Sequence, residues 1–335
     1  MHWPIFTRAL VALRTWGHGN AAWRLRALLP RPVRSMLHRA KKSLENAPLR
    51  VVLPPSPAGQ VPVRVVIFGN YADNWLARLS DAQTWETVPG VTEVRVWPDD
   101  PARPLPPPAA GVRNVIIPLS EDNIVHCPRT MDSLIPNHRA VEVLRNRAAF
   151  AAYVEEAGLS ELCPITYATR EQVRYPCIVK YVNAAFAFGS RILRSDRELD
   201  AFLSTEPWGS GKFIVQQCLP APVEYVTHCV CKGGRILWSC TFSFEKETGQ
   251  EIRQGVVFKS MTAIDPPAGA LVSIERLLLP LAYDGPCNID YTLTPEGRIA
   301  VFEINPRFGG TLMLPINRGY LQQTLSCIIA NATGL

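Results

Sequence analysis

The chain has 335 residues, of which 47% are hydrophobic and 19% charged, and its formal net charge is +6. That is enough chain for two or three domains and enough apolar content to bury a real core. Residues 1–50 carry ten Lys/Arg and one acid, Glu45, so the remainder is net negative by about three. The basic character belongs to one end, which argues against a nucleic-acid reader built on the folded body.

The N-terminal fifty residues mix Trp3, Trp16 and Trp23 with arginines. Their apolar runs are short and broken by Arg14, Arg24 and Arg26, unlike a secretory signal. The composition suits a basic amphipathic helical extension. Such a helix packs on the body or on a partner, or lies on an anionic membrane face as a peripheral contact; an organelle transit peptide is also compatible. No apolar run reaches the ~18 residues of a membrane span. The nine cysteines are scattered without a CxxC pair and read as free thiols of a reducing cytoplasm.

Residues 51–62 are Pro-rich and read as a stiff linker. The runs at 63–70, 91–97 and 112–119 look like buried strands of a parallel sheet, with a helix near 74–84. Residues 63–136 therefore read as a small α/β domain. Its single Gly69 is far from a dinucleotide-binding fingerprint. Residues 137–159 predict one long helix. Short strands follow in "CPITYA", "YPCIVKYV", "SRILR", "KFIVQQCL", a long hairpin around Gly233-Gly234, and "GVVFKS". Helices are predicted at "DRELDAFL" and "AGALVSIERLLLPLAY", then two strands around a Pro-Glu-Gly turn and a last helix over 320–330. This second half is α+β with antiparallel sheets.

The chemistry concentrates in "VFEINPRFGG" (301–310). Side chains in a strand repeat every two residues, so Glu303, Asn305 and Arg307 share a face. Asp290 lies on the strand before the turn, and pairing around that turn makes it a cross-strand neighbour of Glu303. Facing carboxylates repel unless something positive lies between them. Two carboxylates and an amide oxygen make a hard donor set of the kind Mg²⁺ prefers, and Arg307 would then reach a phosphate or carboxylate oxygen. The plainer reading is a solvated hairpin end. Lys180 sits inside an apolar strand, where it needs an anion unless it snorkels from an edge. Gly189-Ser190-Arg191 follows as a small loop that can wrap phosphates with backbone N–H groups. Gln216-Gln217 ends a strand before a Pro-rich hinge and Glu224; a hinge can pair with an adenine edge and a carboxylate with ribose hydroxyls.

In this order the pieces resemble the ATP-grasp superfamily, and are most similar to its carbamoyl-phosphate-synthase-like carboxylate–amine ligases. The resemblance covers residues 137–335. It implies an α/β plus α+β protein: a small α/β pre-ATP-grasp domain (63–136), then a two-lobed ATP-grasp domain with a nucleotide lobe at about 165–217 and a large lobe at about 218–335, preceded by the basic helical extension. It further implies ATP and Mg²⁺, with Mn²⁺ as a substitute, and small-molecule carboxylate and amine substrates. On this resemblance Arg147 and Lys180 contact phosphate, and Lys180 also adenine. Gly189 and Ser190 belong to the phosphate loop; Gln216, Gln217 and Leu219 line the adenine hinge; Glu224 holds ribose. Asp290, Glu303 and Asn305 bind the metal, and Arg307 contacts the reacting phosphate. Two departures stand out: the loop has one glycine, and Asn146-Arg147 replaces the Asp-Lys of many relatives. The expected activity is ligation through an acyl phosphate with release of ADP and phosphate. The alternatives are a phosphotransferase on the same site and a non-catalytic, membrane-associated ATP-binding scaffold. His228 is read as structural or substrate-side. Arg253, Lys259 and Arg318 are read as surface charges, each with the alternative of binding an anionic substrate.

Overall fold

The computed structural model describes residues 49–334 apart from 58, 70–72, 101–103, 183–189, 248–249 and 254–257. The basic extension, except for Leu49 and Arg50, and Gly189 of the phosphate loop therefore lie outside the described residues. These fall into two compact units, one from residues of 1–135 and 310–335, the other from 136–309.

In the first unit β1 (Leu49–Val52), β2 (Val63–Phe68), β3 (Val91–Trp97) and β4 (Arg113–Pro118) form one sheet in the order β1-β3-β2-β4. β2 runs parallel to β3 and β4, and β1 runs antiparallel to β3. Val65, Val66 and Ile67 are fully buried, as continuous apolar runs require when both sheet faces are covered. Val51 and Val52, read as linker, are instead the end of an edge strand whose residues alternate buried and exposed. The strand stops before Pro54 and Pro55, which lack the N–H a ladder needs. Glu93 ties three strands together by accepting from Arg50, Arg64 and Arg95 at 2.6, 2.9 and 2.7 Å. The helix predicted near 74–84 is two pieces: α1 (Asp73–Leu79) and a 3-10 turn at Ala82–Thr84 started by Asp81. A short α2 (Glu121–Val125) follows β4. The C-terminal helix Arg318–Asn331 joins this unit, and beyond it Thr333 bridges to Ser133.

The second unit opens with α3 (His138–Arg145) and α4 (Arg147–Glu156), where one helix was predicted. Asn146 breaks it: its backbone is extended, and its side chain accepts from the N–H groups of Ala148 and Ala149 at 2.9 and 3.0 Å. That satisfies donors a new helix start leaves open and places Arg147 at the head of α4. A three-stranded antiparallel sheet in the order β6-β5-β7 is built from β5 (Cys177–Tyr181), β6 (Arg191–Leu193) and β7 (Phe213–Gln217), with α5 (Asp196–Leu203) packed on it. "CPITYA" supplies only an isolated bridge, Thr166 to Gln216, because Pro164 cannot extend the ladder. β8 (Val223–Lys232), β9 (Arg235–Glu245), β10 (Ser260–Ile264), β11 (Gly285–Leu293) and β12 (Ile299–Asn305) form a five-stranded antiparallel sheet in the order β10-β9-β8-β11-β12. Gly233 and Gly234 both take positive φ, 57° and 78°, the mirror-image turn that matches strand twist in a tight hairpin. The strand expected at "GVVFKS" starts only at Ser260, with 254–257 outside the described residues. α6 (Ala270–Leu278) ends sooner than predicted, passing into a 3-10 turn with Pro280 at its second position.

The two faces of the large sheet differ. Cys229, Cys231, Cys287, Ile289 and Tyr291 join Tyr153, Ile274 and Leu277 in the main core. Strand alternation turns Glu224, Val226 and His228 of β8, and Asn288 and Asp290 of β11, to the other face. All nine cysteines are free thiols. Among the described residues no helix is long and apolar enough to cross a membrane.

Candidate active site

The register pairs Asp290 directly with Glu303, Ile289 with Ile304, and Asn288 with Asn305. The next pair is Tyr291 with Val301, so Phe302 has no opposite number and forms a β-bulge. Bulges re-aim side chains beside functional sites. Here the bulge lets Glu303 and Asn305 face Asp290 while Val301 stays in the core. The ammonium of Lys180 lies 5.4 Å from the centre of the Phe302 ring.

Every carboxylate oxygen of the cluster is engaged. Asp290 Oδ1 accepts from Arg253 Nη2 at 2.5 Å, and Oδ2 accepts from Asn288 at 2.9 Å and Asn305 at 3.4 Å. Glu303 Oε2 accepts from Arg147 at 2.7 Å and Oε1 from Asn305 at 3.3 Å. Glu224 Oε2 accepts from Arg253 at 2.9 Å, and Lys246 sits 3.1 Å from Oε1. Burial pushes the Asp290 carboxyl up to about 6; the Arg253 guanidinium opposes this, and the Glu303 and Glu224 carboxylates add to it. Burial also works against the charge on Glu303, but Arg147 and Lys180 outweigh it and hold that carboxyl below its ordinary value. Desolvation lowers Lys180, and Glu303 partly restores it.

The structure thus brings Arg147, Lys180, Glu224, Asp290, Glu303 and Asn305 into one electrostatic cluster. Arg307 folds back, donating to Phe308 O at 3.0 Å and Asn305 Oδ1 at 3.4 Å. Gln216 and Gln217 close β7. Gln216 is buried and donates to Thr166 at 2.9 Å, while its Oε1 has no partner among the described residues. Gln217 accepts from the Ile165 N–H at 3.5 Å. Leu219 follows half-buried, and Ser190 is half-buried just before β6. Ile178 pairs with Ile192 and Gln216, and Lys180 with Ile214, so these side chains form one apolar-and-polar face of the small sheet.

Arg253 is the main correction. Its side chain is only 14% exposed and bridges two site carboxylates, with its guanidinium 4.6 Å from the centre of the Phe244 ring. Its segment has no strand or helix period, so spacing gave no signal. Lys259 pairs with Glu245 in the open, and Arg318 binds Asp81 and Gln83 of its own unit. His228 is 1% exposed, and neither ring nitrogen has a hydrogen-bond partner among the described residues.

Among the described residues no group of three or more His, Cys, Asp or Glu side chains is arranged to hold a metal. The set here is two carboxylates and amides. Their chemistry fits a hard dication. Burial and the neighbouring Glu303 and Glu224 carboxylates push the Asp290 carboxyl up despite the Arg253 guanidinium, and the Asn305 amide turns its N–H₂ toward both acids. A half-turn of that amide would offer its oxygen instead.

No family model and no curated protein matches the chain. Solved structures do. An L-amino acid ligase from Bacillus licheniformis aligns over 82% of this chain and 75% of its own, with 16% identity and a TM-score of 0.51. An N5-carboxyaminoimidazole synthetase from Staphylococcus aureus, complexed with ADP, aligns over 81% and 77% with 13% identity and a TM-score of 0.54. VanG D-Ala:D-Ser ligase from Enterococcus faecalis aligns over 81% and 99% with 16% identity and a TM-score of 0.54. With mixed α/β architecture in several sheets, this chain has the fold of the ATP-grasp carboxylate–amine ligases.

Proposed function

We propose that the protein is an ATP-dependent carboxylate–amine ligase working through an acyl phosphate. The observation that carries this reading is the Asp290–Glu303 pair, facing across two strands beside Glu224 and supplied with charge by Arg147 and Lys180. A scaffold has no use for three buried or half-buried acids on one sheet face, which cost stability unless matched. Strands β2–β4 then belong to the domain preceding ATP-grasp, at 63–136, the three-stranded sheet serves as the nucleotide lobe and the five-stranded sheet as the core of the large lobe.

A carboxylate is a poor electrophile because its oxygen leaves badly. Transfer of the γ-phosphoryl group to it yields ADP and an acyl phosphate; the amine then attacks the carbonyl carbon, and phosphate departs with the bonding pair. Such a reaction needs alignment and charge neutralisation more than acid–base groups. Lys180, Arg147 and Arg307 neutralise phosphate oxygens. Ile178, Ile192 and Ile214 offer a purine a flat apolar wall, with Gln216 at its polar edge and Glu224 for ribose hydroxyls. Asp290, Glu303 and Asn305 would hold Mg²⁺, which when bound offsets phosphate charge.

The test is nucleotide product analysis with Mg²⁺, ATP and pooled carboxylic acids and amines, beside Glu303→Gln. ADP and free phosphate that require both pools and vanish in the variant support the ligase. ADP with a phosphorylated acceptor and no need for amine would make the protein a phosphotransferase, and AMP with pyrophosphate would overturn the acyl-phosphate route.

A further inference from the structure

Arg253 lies outside the sheet, on the connection between β9 and β10. Its Nε meets Glu224 and its Nη2 meets Asp290. These two carboxylates have different tasks in the proposed reading: Glu224 takes ribose and Asp290 takes the dication. One guanidinium therefore occupies both at once. The other Asp290 oxygen accepts only from the neutral amides of Asn288 and Asn305, so Arg253 is the one charged group on this carboxylate among the contacts described above. A guanidinium cannot be deprotonated in the working pH range, so only displacement uncovers the Asp290 and Glu224 oxygens that Arg253 holds.

We propose that Arg253 is an exchangeable internal counter-ion that makes dication binding depend on nucleotide binding. A dication arriving alone must break the Arg253–Asp290 ion pair while Arg253 remains anchored on Glu224. A nucleotide whose ribose takes Glu224 releases that anchor, and its phosphates offer the guanidinium another anion. Displacement from Asp290 then costs less, so each ligand strengthens the other, and the coupling is reciprocal by linkage. Lys246, on the second oxygen of Glu224, cannot substitute, because it carries a point charge without a fork that could span two carboxylates.

This inference rests on the proposed nucleotide and cation sites, and the experiment separates the two. Mn²⁺ binding to the full chain would be followed by the loss of the free-ion electron paramagnetic resonance signal, with and without ADP, after subtracting the loss that ADP causes by chelating Mn²⁺ in protein-free solution. Wild type, Arg253→Met, Arg253→Lys and Asp290→Asn would be compared. The wild type should bind Mn²⁺ at least tenfold more tightly with ADP than without. Arg253→Met should bind Mn²⁺ alone at least tenfold more tightly than wild type, with a reduced gain from ADP. Arg253→Lys, which cannot span two carboxylates, should fall between and carries the test if the Met variant does not fold. If ADP still promotes Mn²⁺ binding but neither Arg253 variant changes binding of Mn²⁺ alone, the counter-ion role is wrong and the site stands. If ADP promotes no Mn²⁺ binding and Asp290→Asn matches wild type, the site assignment itself falls, and this inference with it.

Discussion

Gly309 lies flat against the imidazole of His228: a Cβ built on it would fall 2.3 Å from His228 Cε1 and 2.9 Å from Nδ1. It would also fall 2.9 Å from Asn288 Cγ. The ring is boxed from the side by Phe242, whose centre is 5.8 Å away, so it has little room to yield. Gly309→Ala should therefore destabilise the protein by about 1–3 kcal/mol, the range for overpacking a tight interior. His228→Ala should relieve part of that cost. A double-mutant cycle in urea checks this, and simple additivity would refute the contact.

Arg147 and Glu303 meet at 2.7 Å, with the arginine also donating to Tyr181 O at 2.8 Å. Arg147→Met removes the main offset to the half-buried Glu303 charge. Leaving one partner of a partly buried pair uncompensated should cost about 2 kcal/mol. Arg147→Lys should recover some stability but not the two-point grip. Thermal unfolding of the three proteins tests the order wild type, Lys, Met; equal midpoints would show that Lys180 alone suffices for Glu303.

Much of this site was legible because it sits on strands. The period-two face of Glu303 and Asn305, and their approach to Asp290 around a short turn, follow from local geometry, and the register contains that pair. The bulge at Phe302 was not legible, since one unopposed residue leaves no compositional mark. The break at Asn146 was hidden because apolar periodicity runs through it on both sides, and capping depends on a side-chain rotamer. Arg253 escaped for a different reason. Its worth comes from acids 29 and 37 residues away in sequence, and only the folded sheet brings them together. The return of residues 310–334 to the first unit is likewise a long-range pairing, seen in the Ser133–Thr333 bridge.

Glu93 gives the first unit its own test. Three arginines converge on it, and it is 9% exposed. Burial opposes its charge, but Arg95, Arg50 and Arg64 together hold it below the usual carboxylate range. Glu93→Gln would leave three guanidiniums facing one another around a neutral amide. It should lower stability by about 2 kcal/mol, less than a fully buried pair because Arg50 reaches solvent. High salt should narrow the difference between wild type and variant by screening the arginines. A salt-independent difference in unfolding free energy would mean packing, not charge, is responsible.

His228 should set an acid limit on stability. Burial drives its imidazole down to about 3 from an ordinary value near 6.5, and no charge among the described residues offsets this. The folded protein therefore keeps the ring neutral while the unfolded chain protonates it as pH falls below 6.5. The unfolded state binds the extra proton, so stability is fully present above that pH and is lost on going down, at about 1.4 kcal/mol per pH unit, until the folded ring itself titrates near 3. His228→Leu removes the titration together with two buried nitrogens that have no partner among the described residues. Deleting an unsatisfied buried polar group is expected to be neutral or stabilising at pH 7, and the benefit should grow between pH 6.5 and 4. Urea unfolding of both proteins across that interval measures the difference; parallel pH curves would show that the ring is not held neutral.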